Sequence, residues 1–263
     1  MRLPGACRFA LATLVATPLI GCGAGNHTAD GGRGGGGMPP GDVLPQDLLS
    51  DFEGGRALVL PLGSPGRSGF WYAYNDAAPS CLQSPAHGDI YYGSTPAPPP
   101  PGPSGGHALH ASWNGCAAWG AGVGADFNAP VPDAGTSMTV RTPYDLTGFA
   151  GVAFWVMAMP GAAPSVRAKL VMRISTQIEQ GGACDESVLG PDQCGDEWGE
   201  PFTLPTDGTW KAVTIKFSDP AFRQEPWGQP FAWNPADVFG IQFQSIAAGG
   251  LYDFWIDDLY LLR

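Results

Sequence analysis

The chain has 263 residues, of which 14% are charged and 44% hydrophobic, and its formal net charge is −11. This acidic surplus excludes nucleic acid and anionic lipid surfaces as favoured partners, because both would repel the chain. The 9 Trp, 13 Phe and 7 Tyr supply enough large apolar side chains for a sizeable core. Because sandwiches and barrels of about 200 residues commonly form one unit, we expect one main domain.

The first 21 residues have the composition of a bacterial secretion signal. Arg2 and Arg8 give a positive start, and an apolar run follows over residues 9–20. This run is shorter than a membrane-spanning helix requires. We therefore expect residues 1–21 to be a signal peptide, so that the protein is exported.

The signal ends in Leu-Ile-Gly-Cys at residues 19–22, which resembles the bacterial lipobox. In that motif the cysteine becomes the lipid-modified first residue of the mature chain, and here it would be Cys22. An ordinary signal peptide with a chance cysteine is the alternative. Acyl chains on Cys22 would anchor the protein to the cell envelope without a transmembrane helix, and Gly23 favours the outer membrane.

Residues 22–47 are rich in glycine and contain scattered proline, a composition that buries little apolar surface. We expect them to form a flexible tether that precedes a folded domain at residues 48–263. Loss of the signal peptide removes two arginines and leaves 11 basic residues against 24 acidic ones.

Four cysteines follow Cys22, and an even number in an exported chain indicates disulfides. They are Cys81, Cys116, Cys184 and Cys194. Three connectivities are possible, and we favour Cys81 with Cys116 and Cys184 with Cys194. A four-cysteine zinc site is the alternative, but neither pair has the close spacing of such sites.

Alternating apolar and polar residues recur along the second half of the chain, as expected for strands with one buried face. The clearest alternation spans Phe149–Met157, Val166–Ile174, Trp210–Phe217 and Val238–Ile246. No segment of the mature chain has a convincing amphipathic helical period. The sequence therefore predicts an all-β fold, most simply a two-sheet antiparallel β-sandwich.

The segment Gly-Ala-Gly-Val-Gly-Ala at residues 120–125 fits the dinucleotide-binding fingerprint by letter alone. That motif works only where it opens a helix after a strand, and no helical period follows here. We interpret the segment as a turn or a tightly packed strand.

The last segment, residues 252–262, is a strongly apolar strand that contains Asp257 and Asp258. By simple alternation Phe254, Ile256, Tyr260 and Leu262 share one face. A carboxylate inside such a strand needs a hydrogen bond, an opposite charge or a metal. If the first and last strands pair, Asp51 and Glu53 complete an oxygen-rich pocket.

Aromatic and polar side chains outside the predicted core are candidates for ligand binding. Tyrosines 72 and 74 lie opposite Trp71 on their strand, and three tryptophans occur in loop-like contexts. Polar side chains of two further strands share outward faces and would form a row across one sheet. These candidates are Tyr72, Tyr74, Trp198, Trp227, Trp233, Arg167, Lys169, Arg173, Gln242 and Gln244. A solvated face, with aromatics that seal the loop ends, is the alternative.

Signatures of catalysis are largely missing from the sequence: there is no nucleophile elbow, no zinc-protease helix and no phosphate-binding loop. His110 lies in a predicted strand, where a structural role is more frequent than a catalytic one. Carboxylate pairs for glycoside hydrolysis would have to come from residues 185–200, which form an acidic loop.

Taken in order, several short motifs resemble a galactose-binding-like jelly roll over residues 48–263. Family-eleven carbohydrate-binding modules and the complex I intermediate-associated protein domains are the families in question. The motifs are Asp51-Phe-Glu53, residues 69–75, Trp119-Gly120, Tyr144-Asp-Leu146, Asp196-Glu-Trp198, residues 210–217, residues 224–228 and residues 254–259.

The resemblance implies a structural Ca²⁺ where the first and last strands meet. Glu53 and Asp257 would be its side-chain ligands, with Asp51 or Asp258 as further candidates. Hard oxygen donors of this kind suit calcium.

The resemblance also implies a glycan-binding sheet face. Its candidate residues are Tyr72, Tyr74, Trp119, Arg173, Trp198, Trp227 and Gln242. We therefore expect a membrane-anchored monomer that binds a polysaccharide or surface glycan without catalysis. A glycan-degrading hydrolase or lyase, and an envelope scaffold that binds a protein partner, are the alternatives.

Overall fold

The computed structural model describes residues 42–53, 57–60, 67–90, 95–96, 106–129 and 141–263. The predicted signal peptide, Cys22, the tether up to residue 41 and most of the proline-rich segment 93–106 lie outside the described residues. Among the described residues, no helix is long and apolar enough to cross a membrane.

Nearly all regular structure in the described residues is β-strand, which follows from the alternating apolar pattern. In chain order the strands are β1 (Leu48–Ser50), β2 (Leu58–Val59), β3 (Gly69–Asn75), β4 (Leu82–Ser84), β5 (Gly88–Ile90), β6 (Thr95–Pro96), β7 (His107–Asn114), β8 (Ala121–Asp126), β9 (Gly151–Ala158), β10 (Ser165–Met172), β11 (Trp198–Thr203), β12 (Lys211–Lys216), β13 (Val238–Ser245) and β14 (Tyr252–Leu262). A four-residue helix, α1 (Glu186–Leu189), and 3₁₀ turns at Pro45–Asp47, Ile178–Gln180 and Pro235–Asp237 complete the description.

The strands form two antiparallel sheets. The first sheet has the order β12-β9-β14-β7-β4, with β1 beside β14 and β6 beside β7. The second has the order β11-β10-β13-β8-β3-β2, with β5 beside β3. The prediction of an all-β, two-sheet antiparallel sandwich is therefore confirmed.

The main core lies between the two sheets. Phe243 of β13 contacts the rings of Phe154 at 5.0 Å and Trp71 at 6.1 Å between centroids. Indole N–H groups also reach between the sheets: Trp71 donates to Ser50 Oγ at 3.2 Å and Trp113 donates to Ser245 Oγ at 3.1 Å. Aromatic burial and these hydrogen bonds hold the sheets in register.

Both predicted disulfides are present. Cys81 and Cys116 join the turn before β4 to the turn after β7. Cys184 and Cys194 close a loop of sequence separation 10 around α1. On the loop-entropy model such bridges stabilise the fold by about 3 kcal/mol for the short loop and about 4 kcal/mol for the longer one.

The predicted side-chain alternation of β14 is correct only for its first half. Phe254 and Ile256 face the main core, but so do Leu259 and Leu261, whereas Tyr260 packs in a separate cluster with Leu48 and Val43. A register shift against β9 lies between Asp257 and Tyr260, and Asp258 has φ of 47°. This β-bulge adds one residue and exchanges the two faces of the strand.

The packed chain begins slightly before β1. Val43 is buried, and buried Asp47 accepts two hydrogen bonds from Arg263 at 2.8 Å each. The Arg67 side chain, also buried, donates to the carbonyl of Leu48 at 2.8 Å. The first contact fixes the start of the domain to Arg263, directly after β14, and the second holds β1 against Arg67.

Candidate functional site

The carboxylates of the predicted metal site meet where β1 pairs with β14. Asp257 is fully buried in β14, and the charges of Asp258, Glu53 and Asp51 all act on it. Burial is the first cause, and repulsion from these neighbours a further cause, of a pKa for Asp257 of about 9. Its Oδ1 accepts the backbone N–H of Asp258 at 2.8 Å.

The second oxygen of Asp257, Oδ2, is buried and has no hydrogen-bond partner among the described residues. A buried acceptor without a donor is costly, and a cation would satisfy it. Nearby, Glu53 accepts the backbone N–H of His107 at 3.1 Å. The donor chemistry therefore fits a hard cation such as calcium.

The same region supplies few side-chain ligands at close range. Among the described residues, the single group of three His, Cys, Asp or Glu side chains with ligand atoms within 4.8 Å of one another is Asp76 with Cys81 and Cys116, whose sulfurs form a disulfide. A cation beside Asp257 would thus take two carboxylates at most in this geometry. Backbone carbonyls or water would complete its shell.

The outer face of the second sheet carries a separate group of residues. We name it the tyrosine–glutamine face, formed by Tyr72, Tyr74, Lys169, Gln242 and Gln244 above Gly122 and Gly124. In the strand register Tyr72 lies opposite Gly124, Gly124 opposite Gln242, and Gln242 opposite Lys169. Since neighbouring strands are about 4.8 Å apart, the five strands from β3 to β11 give a face about 20 Å wide.

The glycines of β8 let the tyrosine side chains cross that strand. A Cβ on Gly122 would lie 2.6 Å from Tyr74 Cζ, and a Cβ on Gly124 would lie 2.9 Å from Tyr72 Cζ. The glycine-rich segment is thus a strand, β8, as one of the two interpretations of its sequence predicts. Its alternate glycines make room for the rings.

The tyrosine hydroxyls reach the glutamines of β13. Gln242 Nε2 donates to the Tyr72 hydroxyl at 3.0 Å, and the Tyr74 hydroxyl lies 3.5 Å from Gln244 Oε1. Burial raises the pKa of both tyrosines, so both hydroxyls stay protonated at neutral pH. The face therefore combines aromatic rings with hydroxyl and amide groups.

One end of the face is extended by Trp119. Its ring stacks on Tyr74 with centroids 5.9 Å apart, and about half of the side chain remains exposed. Asp76 Oδ2 accepts the backbone N–H groups of Ala118 at 2.7 Å and Gly120 at 3.1 Å. These bonds and the neighbouring Cys81–Cys116 disulfide fix the loop that carries the tryptophan.

The opposite end is formed by residues 223–229, which lie beside β11 through an antiparallel bridge between Gly199 and Arg223. Asp196 accepts the N–H groups of Glu225 at 2.9 Å and Gly228 at 3.2 Å. Arg167 of β10 pairs with Glu225 at 2.6 Å. Trp227 of this segment is about half exposed, so exposed tryptophans flank the polar face on both sides.

Several ionisable groups around this face are paired or hydrogen-bonded within the protein. Arg141 pairs with Asp126 at 2.7 Å, and burial raises the pKa of Asp126 to about 6. Glu197 accepts hydrogen bonds from Ser175 Oγ at 2.5 Å and from the Met172 N–H at 2.9 Å. Burial raises the pKa of Glu197 to about 7.

Two of the predicted glycan contacts lie away from the tyrosine–glutamine face. Trp198 has the same parity on β11 as core residue Phe202, so its ring packs inward beside Trp233, with centroids 6.3 Å apart. Arg173 follows the end of β10 and pairs with Asp237 at 2.8 Å.

Asp126, Arg141 and Glu197 were not predicted as residues of the glycan face. Asp126 has the same parity on β8 as Gly122 and Gly124, so the alternation of this strand could have indicated that it lies on the outer face. Arg141 and Glu197 lie outside the strands, so no alternation indicates their position.

The chain was compared with known protein families, curated proteins and solved structures. No family model matches the chain, and no curated protein matches it. Among solved structures, the chain is similar to a family 11 carbohydrate-binding module from Clostridium thermocellum in complex with a β-1,3-1,4-mixed-linked tetrasaccharide. The TM-score is 0.46 with 18% identity, over 82% of this chain and 94% of that one.

Two further structures are similar. The family 11 module of the cellulosomal cellulase Lic26A-Cel5E of Clostridium thermocellum has a TM-score of 0.46 and 18% identity, over 82% of this chain and 92% of that one. TmCBM61 in complex with β-1,4-galactotriose has a TM-score of 0.34 and 15% identity, over 84% and 97% of the two chains.

Gly122→Ala should disturb the tyrosine–glutamine face. The added Cβ would lie 2.6 Å from the Phe243 carbonyl and from Tyr74 Cζ, so both the ring and the backbone of β13 must shift. Overpacking of this kind costs about 1–3 kcal/mol of unfolding free energy. Urea unfolding measures the loss, and Gly148→Ala, whose Cβ would meet nothing within 4 Å, is the matched control. Equal stability of the two variants would contradict the packing described.

The protein should lose stability as the pH rises when metal is removed with a chelator. The pKa of Asp257 is about 9 in the folded chain, against about 4 when unfolded, so the folded state holds this proton more tightly. The contribution of Asp257 to the free energy of unfolding is therefore fully present below about pH 4 and is lost as the pH rises towards about 9. Between pH 5 and pH 8 we expect a loss of about 1–4 kcal/mol. Asp257→Asn should reduce this slope in urea unfolding, whereas the exposed Glu179→Gln should leave it unchanged. A slope that is unaffected by Asp257→Asn would disprove the assignment.

Proposed function

We propose that the protein binds a neutral polysaccharide or surface glycan on the tyrosine–glutamine face, without catalysing a reaction on it. The observation that supports this most is the continuous arrangement of Tyr72, Tyr74 and stacked, exposed Trp119 beside Gln242 and Gln244. Aromatic rings bind the apolar faces of sugars, and fixed amide and hydroxyl groups bind sugar hydroxyls.

The charges of the face favour a neutral glycan over an acidic one. Arg141 is paired with Asp126 and Arg167 with Glu225, and the Lys169 ammonium already donates a hydrogen bond to Gln244 Oε1. A uronate carboxylate would have to compete with these carboxylates for the guanidinium groups. The net charge of −11 also opposes an anionic chain.

The half-exposed tryptophans at the two ends indicate the extent of the proposed site. Trp119 lies at the β3 side, and Trp227 lies beyond β11. A ligand that contacts both must extend across the strands over about 20 Å. We therefore propose a polymer as the ligand rather than a single sugar.

We further propose that the domain is exported and held at the bacterial cell envelope, most simply the outer membrane, by lipid on Cys22. The sequence of residues 1–22 supports this proposal. The glycine-rich segment that follows would give the domain reach from the lipid surface. A monomer is sufficient for binding, because all residues of the proposed site come from one chain.

We also propose a structural Ca²⁺ beside Asp257, where β1 meets β14. The buried Oδ2 of Asp257 and the neighbouring charges of Glu53, Asp51 and Asp258 support it. Bound calcium would neutralise these carboxylates and stabilise the junction. Its role would be in stability, because the junction belongs to the other sheet.

The purified protein should be retarded in native gels that contain mixed-linked β-glucan or β-1,4-galactan, and less by polygalacturonate. Trp227→Ala should abolish the retardation, and Trp119→Ala should weaken binding about tenfold, which corresponds to about 1.4 kcal/mol of lost ring contact. Leu82→Ala, at an exposed site on β4 of the first sheet, is the control. Unchanged migration in every glycan would refute the proposal, and release of reducing ends by pure protein would contradict the non-catalytic role.

Calcium should raise the melting temperature of chelator-treated protein. A ligand at one hundred times its Kd stabilises the folded state by about 2.7 kcal/mol. Asp257→Asn should abolish the calcium-dependent shift, whereas Glu179→Gln should retain it. A melting curve that is the same with calcium and with chelator would rule out the proposed ion.

A further inference from the structure

We propose that Lys169 is a positioning residue that fixes the orientation of the Gln244 amide, so that this glutamine presents hydrogen-bond donors to the glycan. The inference rests on the proposed function of the face. It adds that the ligand must offer a hydrogen-bond acceptor to Gln244. Lys169 itself does not have to contact the ligand.

The contact between Lys169 and Gln244 has a definite polarity. Lys169 Nζ donates a hydrogen bond to Gln244 Oε1 across β10 and β13. An ammonium group has three donors and no acceptor, so only the oxygen of the amide can face it. The Tyr74 hydroxyl, 3.5 Å away, lies on the same oxygen. Gln244 Oε1 is therefore occupied, and the Nε2 donors point elsewhere.

Gln242 is the natural comparison, because it lies two residues away on the same face of β13. Its Nε2 donates to the Tyr72 hydroxyl at 3.0 Å. A hydroxyl accepts as well as donates, so the reversed amide of Gln242 would also form a hydrogen bond with it. Gln242 can thus present either its oxygen or its nitrogen to a ligand, whereas Gln244 cannot.

The surroundings of Lys169 keep it in place for this role. Its side chain is half-buried, and the charges of Glu197, Asp196 and Arg167 act on it. Lys169 and Gln242 are opposite in the strand register, so the ammonium group reaches Gln244 diagonally across the face. Lys169 is in no salt bridge within 4 Å among the described residues, and the amide oxygen is its hydrogen-bond partner there.

The Gln244 amide therefore requires an acceptor from the ligand. A sugar hydroxyl satisfies this requirement through its oxygen lone pairs, and it remains free to donate its own proton to the adaptable Gln242. Gln244 would thus accept only a hydrogen-bond acceptor from the ligand, whereas Gln242 would accept either a donor or an acceptor. This difference arises from a lysine on another strand.

The first test changes the polarity of each glutamine separately. Gln244→Glu keeps an acceptor for Lys169 but removes the donors, so binding of mixed-linked β-glucan should fall at least tenfold while the fold is retained. Gln242→Glu, the comparison at the adaptable position, should also weaken binding but less than Gln244→Glu does, since Tyr72 can donate to the carboxylate. Equal losses in the two variants would overturn the inference. Calorimetry measures the affinity, and urea unfolding confirms that both variants fold.

The second test changes Lys169. Lys169→Met should weaken binding three- to tenfold, and Lys169→Arg, which keeps a donor-only cation, should restore most of the affinity. Burial lowers the pKa of Lys169 to about 8, and a neutral amine can also accept, so wild-type affinity should fall as the pH rises from 7.5 to 9. The Lys169→Arg variant should show no such fall, because arginine stays protonated over this range. Since Glu197 is present in both proteins, its titration cannot explain a difference between them. Equal pH profiles for the two proteins would overturn the inference.

A measurement without ligand separates this inference from the proposed function. In NMR spectra of the free protein, Lys169→Met should shift and broaden the side-chain amide signals of Gln244 and leave those of Gln242 in place. Unaltered Gln244 signals would disprove the positioning role whether or not any glycan binds. Failure of the wild-type protein to bind every glycan, together with the expected Gln244 shift, would instead refute only the proposed function.

Discussion

Burial of a carboxylate in the centre of β14 is the constraint on which the rest of the structure depends. This strand pairs with β9, β7 and β1, so any distortion in it affects the whole first sheet. The bulge at Asp257 and Asp258 inverts the faces of the strand. Leu259 and Leu261 can then face the main core, while Tyr260 closes a second cluster against the start of the domain. The bulge at this acidic pair thus lets the end of β14 pack against the start of the folded domain.

The buried carboxylate of Asp257 lies in the first sheet, and the second sheet is arranged differently. Its inner face supplies Phe243 and Trp71 to the core, and its outer face has glycines where side chains would otherwise stand. The rings of Tyr72 and Tyr74 occupy the space above those glycines. A strand with alternate glycines is costly in conformational entropy, and here the packing of aromatic rings offsets that cost.

The two sheets therefore divide stability and proposed function between them. The carboxylates around Asp257 lie in the first sheet, whereas the rings and amides proposed to bind glycan lie on the outer face of the second. Exposed Trp119 and Trp227 are carried by loops that a disulfide and Asp196 hold in place. Preorganised rings and amides lose little conformational entropy on binding, which favours the binding of ligands such as sugars, whose individual contacts are weak.

The sequence by itself determined the all-β class and indicated that the four cysteines form disulfides, because alternation and an even cysteine number are local signals. It also indicated the outward row of Lys169, Gln242 and Gln244. The favoured cysteine pairing and the pairing of the first and last strands were decided only by the tertiary structure, since both join residues that are distant in the sequence. Only the tertiary structure decided that Trp198 packs inward and that Arg141 and Glu197 join the face. The inversion of β14 at Asp258 likewise needed the structure, since a bulge depends on the partner strand and a period of two cannot reveal it.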